Sequence, residues 1–287
     1  MKPSPFAYSS PTSLDEALAV LAEVGGDGKV LAGGQSLVPI LNMRLAAPAH
    51  IVDINRVPDL GSVVVDDGGV RVGALARHAD VEADPAAAVV LPLLRQALRL
   101  VAHPVIRYRG TTVGSLAHAD PSGEMTAVLA LTGGTVDAAR QGSRRTLGAA
   151  EFFVGPLESA LEPGELAVSA YFPAFPDRTG TTFVEVARRH GDYAVCGLAA
   201  AVTLDEDGGV AAARAAYISV AATPLVLDLT EAVAGRPPDR ADWTAAGARA
   251  RDQVEPEADI HATADYRRHL VGVLTARGLA EAAGRAA

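Results

Sequence analysis

Two glycine-bearing stretches carry most of the chemistry this sequence can do. In the first, Lys29–Leu37, the apolar residues Val30, Leu31 and Ala32 run into Gly33-Gly34 and then Gln35, Ser36 and Leu37. The apolar run predicts a buried strand, and the double glycine predicts a tight turn at its end. Paired glycines let consecutive backbone N–H groups point at one anion. A ligand-free strand-to-loop turn is the plainer reading of the same residues. The second stretch begins at Arg109-Gly110 and continues Thr111, Thr112, Val113, Gly114 and Ser115. Its small and hydroxyl-bearing residues let backbone lie against a flat ring or a diphosphate. The two loops are expected to close on one dinucleotide.

Other residues are more ambiguous. Glu124 opens an apolar run. Its carboxylate either accepts hydrogen bonds from ribose hydroxyls or only complements a helix dipole. The basic stretch Arg188–Tyr193 reads as a solvated strand end as readily as a site. His103 and His118 lack metal-ligand spacing, and neither a Ser/His/Asp order nor a thiol–His pair stands out, so no catalytic side chain and no metal ligand is expected. Cys196 lies in an apolar run and reads as core.

The elements that must position these residues follow from periodicity. Ser13 is placed to cap a first helix, with Glu16 as its capping-box partner and Leu14, Leu18 and Leu21 on one face. A short helix is expected over 38–45 and a strand over 49–54, so residues 1–55 read as a small βα unit. A hairpin pattern follows over 63–75. A helix is expected over 91–100, ended by His103-Pro104, and another over 124–132, stopped by Gly133-Gly134. Strands follow over 135–138, 142–146 and 166–172. A boundary falls near 173–178. Beyond it come strands over 182–189 and 210–220, a long apolar segment over 193–204, and helices over 224–234, 242–253 and 265–278.

Composition bounds the rest. The chain has 287 residues, 49% of them hydrophobic and 21% charged, which suits a globular protein of about two domains. A net charge of −9 argues against a nucleic-acid partner. One cysteine is too few for an intrachain disulfide or a thiolate-held cluster. No run is long and apolar enough for a membrane span, and no apolar signal core opens the sequence, so a cytoplasmic location is expected.

Taken together, five ordered motifs resemble the FAD-binding medium subunit of molybdenum hydroxylases, of the carbon monoxide dehydrogenase and xanthine dehydrogenase kind. They are Ala32–Leu37, Val52-Asp53-Ile54, Gly110–Pro121, Arg188–Ala194, and Asp259-Ile260-His261 with Tyr266–Leu270. The resemblance implies an α+β fold: a two-lobed FAD-binding domain of the PCMH type over 1–175, with lobes of about 1–55 and 56–175. A smaller C-terminal α/β domain over 176–287 would follow, with a three-stranded antiparallel sheet and helices. It implies that Val30–Leu37 and Thr111–Ser115 hold the FAD diphosphate through main-chain amides and that Glu124 meets the adenosine ribose. Val101 would line the adenine side, and Asp192-Tyr193 would bring an aromatic cover to the isoalloxazine. Val113 stands where the family usually has glycine. The implied role is electron transfer. A large molybdenum-cofactor subunit oxidises substrate, a small subunit carries 2Fe–2S clusters, and FAD on this chain reduces NAD, a quinone or O2. A stand-alone FAD oxidase or monooxygenase, and a scaffold that has lost flavin, are the alternatives.

Overall fold

The computed structural model describes residues 1–286; Ala287, the last residue of the expected C-terminal domain, lies outside them. The first unit is β1 (Ala7–Ser9), α1 (Leu14–Val24), β2 (Gly28–Leu31), α2 (Leu37–Met43) and β3 (His50–Asp53). Its strands form a parallel sheet in the order β1-β3-β2. The Ser13 side chain caps α1 by accepting from the Glu16 N–H at 3.1 Å. Glu16 reaches back to the Thr12 N–H at 2.7 Å, one residue earlier than a standard capping box. Gly25 ends the helix at φ +54°, a conformation cheap only for glycine. Arg44, at φ +57°, ends α2 ahead of Pro48.

The next unit is built on a five-stranded antiparallel sheet. It holds β4 (Val63–Asp66), β5 (Gly69–Gly73), α3 (His78–Ala83), α4 (Pro85–Val90), α5 (Pro92–Leu98), α6 (Pro104–Arg107), α7 (Thr112–His118) and α8 (Glu124–Thr132). Then come β6 (Thr135–Arg140), β7 (Ser143–Gly148), α9 (Ala149–Phe152), the small hairpin β8 (Phe153–Gly155) and β9 (Glu158–Ser159), and β10 (Leu166–Pro173). The sheet order is β4-β5-β10-β6-β7. The expected helix over 91–100 is α5, opened by Pro92 at N1, and a separate helix, α4, precedes it. Pro104 likewise opens α6 where a stop was expected. α8 is apolar on all sides and accordingly buried on nearly all of them, with Gly133 closing it at φ +66°.

The last unit packs a four-stranded antiparallel sheet against two helices. Its elements are β11 (Thr179–Ala187), β12 (Ala194–Leu204), β13 (Val210–Ile218), β14 (Leu225–Asp228), α10 (Trp243–Asp252) and α11 (Ala264–Ala283), with strands in sequential order. The three expected antiparallel strands are present, and β14 adds a fourth. It occupies the stretch expected to be helical over 224–234, where only a 3-10 turn at Thr230–Ala232 follows it. Tyr217 pairs with Leu225 and Arg214 with Asp228, so an edge partner overrides local helix preference. β12 is buried almost throughout because both faces are covered. α11 packs on one side, and the core that contains α8 packs on the other.

The fifth sequence motif has a structural explanation here. Arg267 is buried and donates to the Val195 carbonyl at 3.2 Å, the Glu257 carbonyl at 2.6 Å and the Asp259 carboxylate at 2.7 Å. The Arg267 bond to the carboxylate, with the Ala262 and His261 N–H groups, holds the Asp259 carboxyl far below the usual carboxylate range. One guanidinium thereby joins β12, the 257–259 loop and α11. No helix among the described residues is long and apolar enough to cross a membrane.

Candidate functional site

The two glycine loops meet. Gly33 lies directly on the second loop: a side chain there would collide with the Arg109 carbonyl oxygen and come within 2.7 Å of Gly110 Cα. Only glycine permits that approach. Gly34, at φ +72°, turns the chain toward α2. Val30 and Leu31 end β2, Ser36 precedes α2, and Leu37 is the first residue of α2. The Gln35 side chain donates to the Gly33 carbonyl at 3.0 Å. Among the described residues, the backbone N–H groups of Gly33, Gly34, Gln35 and Ser36 donate to no protein acceptor.

A staple that the sequence did not reveal holds the loops together. Arg77 donates to the Arg109 carbonyl at 2.6 Å and to the Asn55 side-chain oxygen at 2.8 Å. Asn55 in turn donates to the Ala32 carbonyl at 2.8 Å. Asp53 orients Asn55 by accepting from its backbone and side-chain N–H groups at 2.9 and 2.6 Å, and it also accepts from the Tyr8 hydroxyl. Burial alone would raise the Asp53 carboxyl; the bonds from Tyr8 and Asn55 outweigh it and hold it below the usual range.

The second loop is a helix start. Thr111 is the N-cap of α7 and accepts from the Gly114 N–H at 3.2 Å. The Thr112 N–H donates to the Ala76 carbonyl at 3.2 Å, and the Thr112 hydroxyl meets His78 Nδ1 at 3.2 Å. Thr112 has therefore spent its polar groups on protein. His78 lies buried beneath Gly110, and burial, with the nearby Arg107 charge, lowers its pKa to about 4. Val113 is buried in the core, 1% exposed, with ordinary helical backbone. Its side chain points away from the loops, so the valine at a glycine position creates no conflict there. Among the described residues the Ser115 hydroxyl has no side-chain hydrogen bond to protein, unlike the neighbouring Thr111 and Thr112 hydroxyls.

α7 leads away from the loops for about 10 Å, seven residues at 1.5 Å each. At its far end lie Asp120, Glu124 and Tyr193. The Tyr193 ring is 69% exposed, while its hydroxyl is pushed up by burial and then by the Asp120 and Glu124 charges. Glu124 is raised to about 8, chiefly by burial and further by Glu185 and Asp120. Asp192 is held low by Arg189, which binds it at 3.0 Å. Val101 is half-buried, and its carbonyl accepts from Arg107 at 3.0 Å. His103, two residues on, lies against Gly191 and 5.8 Å from the His190 ring. Glu124 and Tyr193 thus stand together at the far end of α7 with Asp192 next in the chain, Val101 lies two residues before the His103 that packs on Gly191, and 33–36 and 111–115 lie at the near end of α7.

The arrangement fits a flavin dinucleotide. Four unspent amides face the place where a diphosphate needs donors, and Gly33 has no room for a side chain. An exposed aromatic side chain, Tyr193, and the buried Glu124 carboxyl stand one helix away, where a ring system needs cover and a hydrogen-bonding partner.

Comparison with known proteins agrees with that fit. Residues 4–175 match a family described as "FAD binding domain in molybdopterin dehydrogenase", and residues 181–282 match "CO dehydrogenase flavoprotein C-terminal domain". The chain is 39% identical to the 6-hydroxypseudooxynicotine dehydrogenase complex subunit alpha of Paenarthrobacter nicotinovorans, covering 100% of this chain and 97% of the relative. It is 38% identical to the caffeine dehydrogenase subunit beta of Pseudomonas sp. strain CBB1, covering 99% and 97%. Its fold superposes with a TM-score of 0.92 on a carbon monoxide dehydrogenase chain from Hydrogenophaga pseudoflava, at 34% identity and full coverage of both chains.

Proposed function

The chain belongs to the FAD-binding medium subunits of the molybdenum hydroxylases, and from that membership we propose how its own residues serve the complex. The Gly33–Ser36 amides take the diphosphate, with the Thr111 N-cap and Ser115 closing the other side. The residues at the far end of α7 take the ring system, with the Tyr193 ring as its cover; Glu124, expected at the adenosine ribose, is assigned to this end because its charge acts on the Tyr193 hydroxyl. Bound FAD accepts and releases electrons singly or in pairs; the protein supplies position, hydrogen bonds and exclusion of water. Residues 1–175 form the cofactor domain and 176–287 the domain that closes the ring end.

With one cysteine, this chain has no thiolate set for a cluster, so the donor of electrons is a partner. We assign that role to a small 2Fe–2S subunit and substrate oxidation to a large molybdenum-cofactor subunit, in a cytoplasmic complex. NAD, a quinone or O2 is the acceptor. The observation that carries the reading is the contact between Gly33 and the Arg109-Gly110 backbone, which makes one anion site from two distant loops.

Purification from the native host tests it. The expected result is a yellow protein that releases one FAD per chain on denaturation and co-purifies with a large molybdenum-containing and a small iron-containing chain. A colourless chain that takes up no FAD and is isolated alone would overturn it.

A further inference from the structure

One polar atom near the far end of α7 has no assigned work. Glu185 Oε2 is buried and has no hydrogen-bond partner among the described residues. Glu185 lies on β11, opposite Gly197 of β12. Alternation along β11 sends Val184 and Val186 to the core that contains α11, and it sends Phe183 to the core that contains α8. Glu185 shares the face of Phe183, so its carboxyl points toward α8 and the cofactor domain. There it is close enough to raise the Glu124 carboxyl, and Glu124 acts in the same way on the Tyr193 hydroxyl. Among the described residues no lysine or arginine charge lowers either glutamate. Gly197, its partner on β12, is packed tightly here: an added Cβ would come within 3.0 Å of the Glu185 side chain and 3.1 Å of Ile218.

We propose that Glu185 is a flavin-binding residue, supplied by the C-terminal domain, whose carboxyl meets the imide edge of the isoalloxazine. The proposal rests on the cofactor reading above and assigns a residue that reading does not use. That edge presents one N–H between two carbonyl oxygens. A neutral carboxyl offers the complement in one plane, an O–H that donates and a C=O that accepts. Burial raises Glu185 to about 7 and Glu124 to about 8, so the cleft keeps a proton on the pair at neutral pH. The charged group coupled to Glu185 is Glu124 on α8, which Asp120 also raises and which in turn acts on the Tyr193 hydroxyl. An unpaired buried carboxyl is costly in the empty protein and is relieved when a ligand edge pairs with it.

The test compares FAD and FMN, which share the ring but not the adenosine. The full-length chain is stripped of flavin, and affinities are measured by quenching of flavin fluorescence for wild type, Glu185→Leu and Glu185→Gln. The expected result for Glu185→Leu is weaker binding of FAD and FMN alike, about tenfold, with altered fine structure in the visible band. Glu185→Gln keeps one donor and one acceptor and should stay within about threefold of wild type. The flavin-free Glu185→Leu protein should melt no lower than wild type, because it loses an unpaired buried carboxyl. Unchanged affinity for both flavins, loss for FAD alone, or destabilisation of the flavin-free Glu185→Leu protein would each overturn the proposal. Wild-type protein that binds no FAD would overturn the cofactor reading itself, and this proposal with it.

Discussion

The two glycine loops look alike as text and do different physical work. In the first, four consecutive N–H groups are unspent and Gly33 has no room for a side chain. In the second, Thr112 is tied to Ala76 and His78, the Gly114 N–H is tied to Thr111, and Val113 is core. On the proposed function the first loop binds and the second supports. A glycine is indispensable where backbone meets backbone and dispensable where the residue sits inside a helix facing the interior. The sharpest way to break the comparison is Gly33→Val. Its side chain must push Arg109-Gly110 away and separate the loops, so FAD affinity should fall at least a thousandfold, about 4 kcal/mol. Equilibrium dialysis against FAD reads this directly. Retained affinity would mean that the loop contact is incidental to binding.

The supporting loop should instead show itself in stability. His78 holds Thr112 from below, buried and neutral. In the unfolded chain an ordinary histidine takes a proton near pH 6.5, and in the folded chain His78 does so near 4. Between those values the unfolded state binds more protons, so stability rises with pH. The contribution is complete above about pH 6.5 and is lost as pH falls toward 4, by about 3 kcal/mol at most. Urea unfolding of the flavin-free protein at several pH values should show this slope, and His78→Gln should flatten it. An unchanged slope would place the acid sensitivity elsewhere.

Val113 gives a smaller effect of the same kind. Val113→Gly restores the residue usual in the family but empties a buried site inside a helix, which should cost about 2–3 kcal/mol of stability. FAD affinity should stay within about twofold. A tenfold gain in affinity would show that the second loop seats the diphosphate after all, and the contrast between the loops would fail.

What the sequence disclosed tracks how local each cause is. The helix over 124–132 is legible to the residue because an unbroken apolar run ends at a glycine that can adopt φ +66°. The glycine turn at 33–34 is legible for the same reason. β14 is not, because the pairing of Leu225 with Tyr217 is a long-range fact that Pro224–Ala234 does not carry. Arg77 and Asn55 look like ordinary surface residues until folding lays Arg109 beside them. Glu185 sits in a strand whose alternation is visible, but the absence of a partner for its carboxyl depends on everything around it. Val113 reads as a departure from a glycine pattern, and only the inward direction of its side chain shows why the site tolerates it.

The mildest test concerns the one side chain by which the second loop can touch ligand directly. The Ser115 hydroxyl is half-exposed and, among the described residues, has no side-chain hydrogen bond to protein, one turn into α7 from the Thr111 cap. If the first loop's amides do most of the binding, this hydroxyl adds one hydrogen bond that water replaces well. Ser115→Ala should then weaken FAD by no more than about threefold, roughly 0.6 kcal/mol, at the low end for a net hydrogen bond. Stability of the flavin-free protein should not change, since no protein contact is removed. A loss of a hundredfold would mean that the hydroxyl meets a charged oxygen in a dry site, where such bonds are far stronger. The second loop would then be a binding element in its own right, equal to the first.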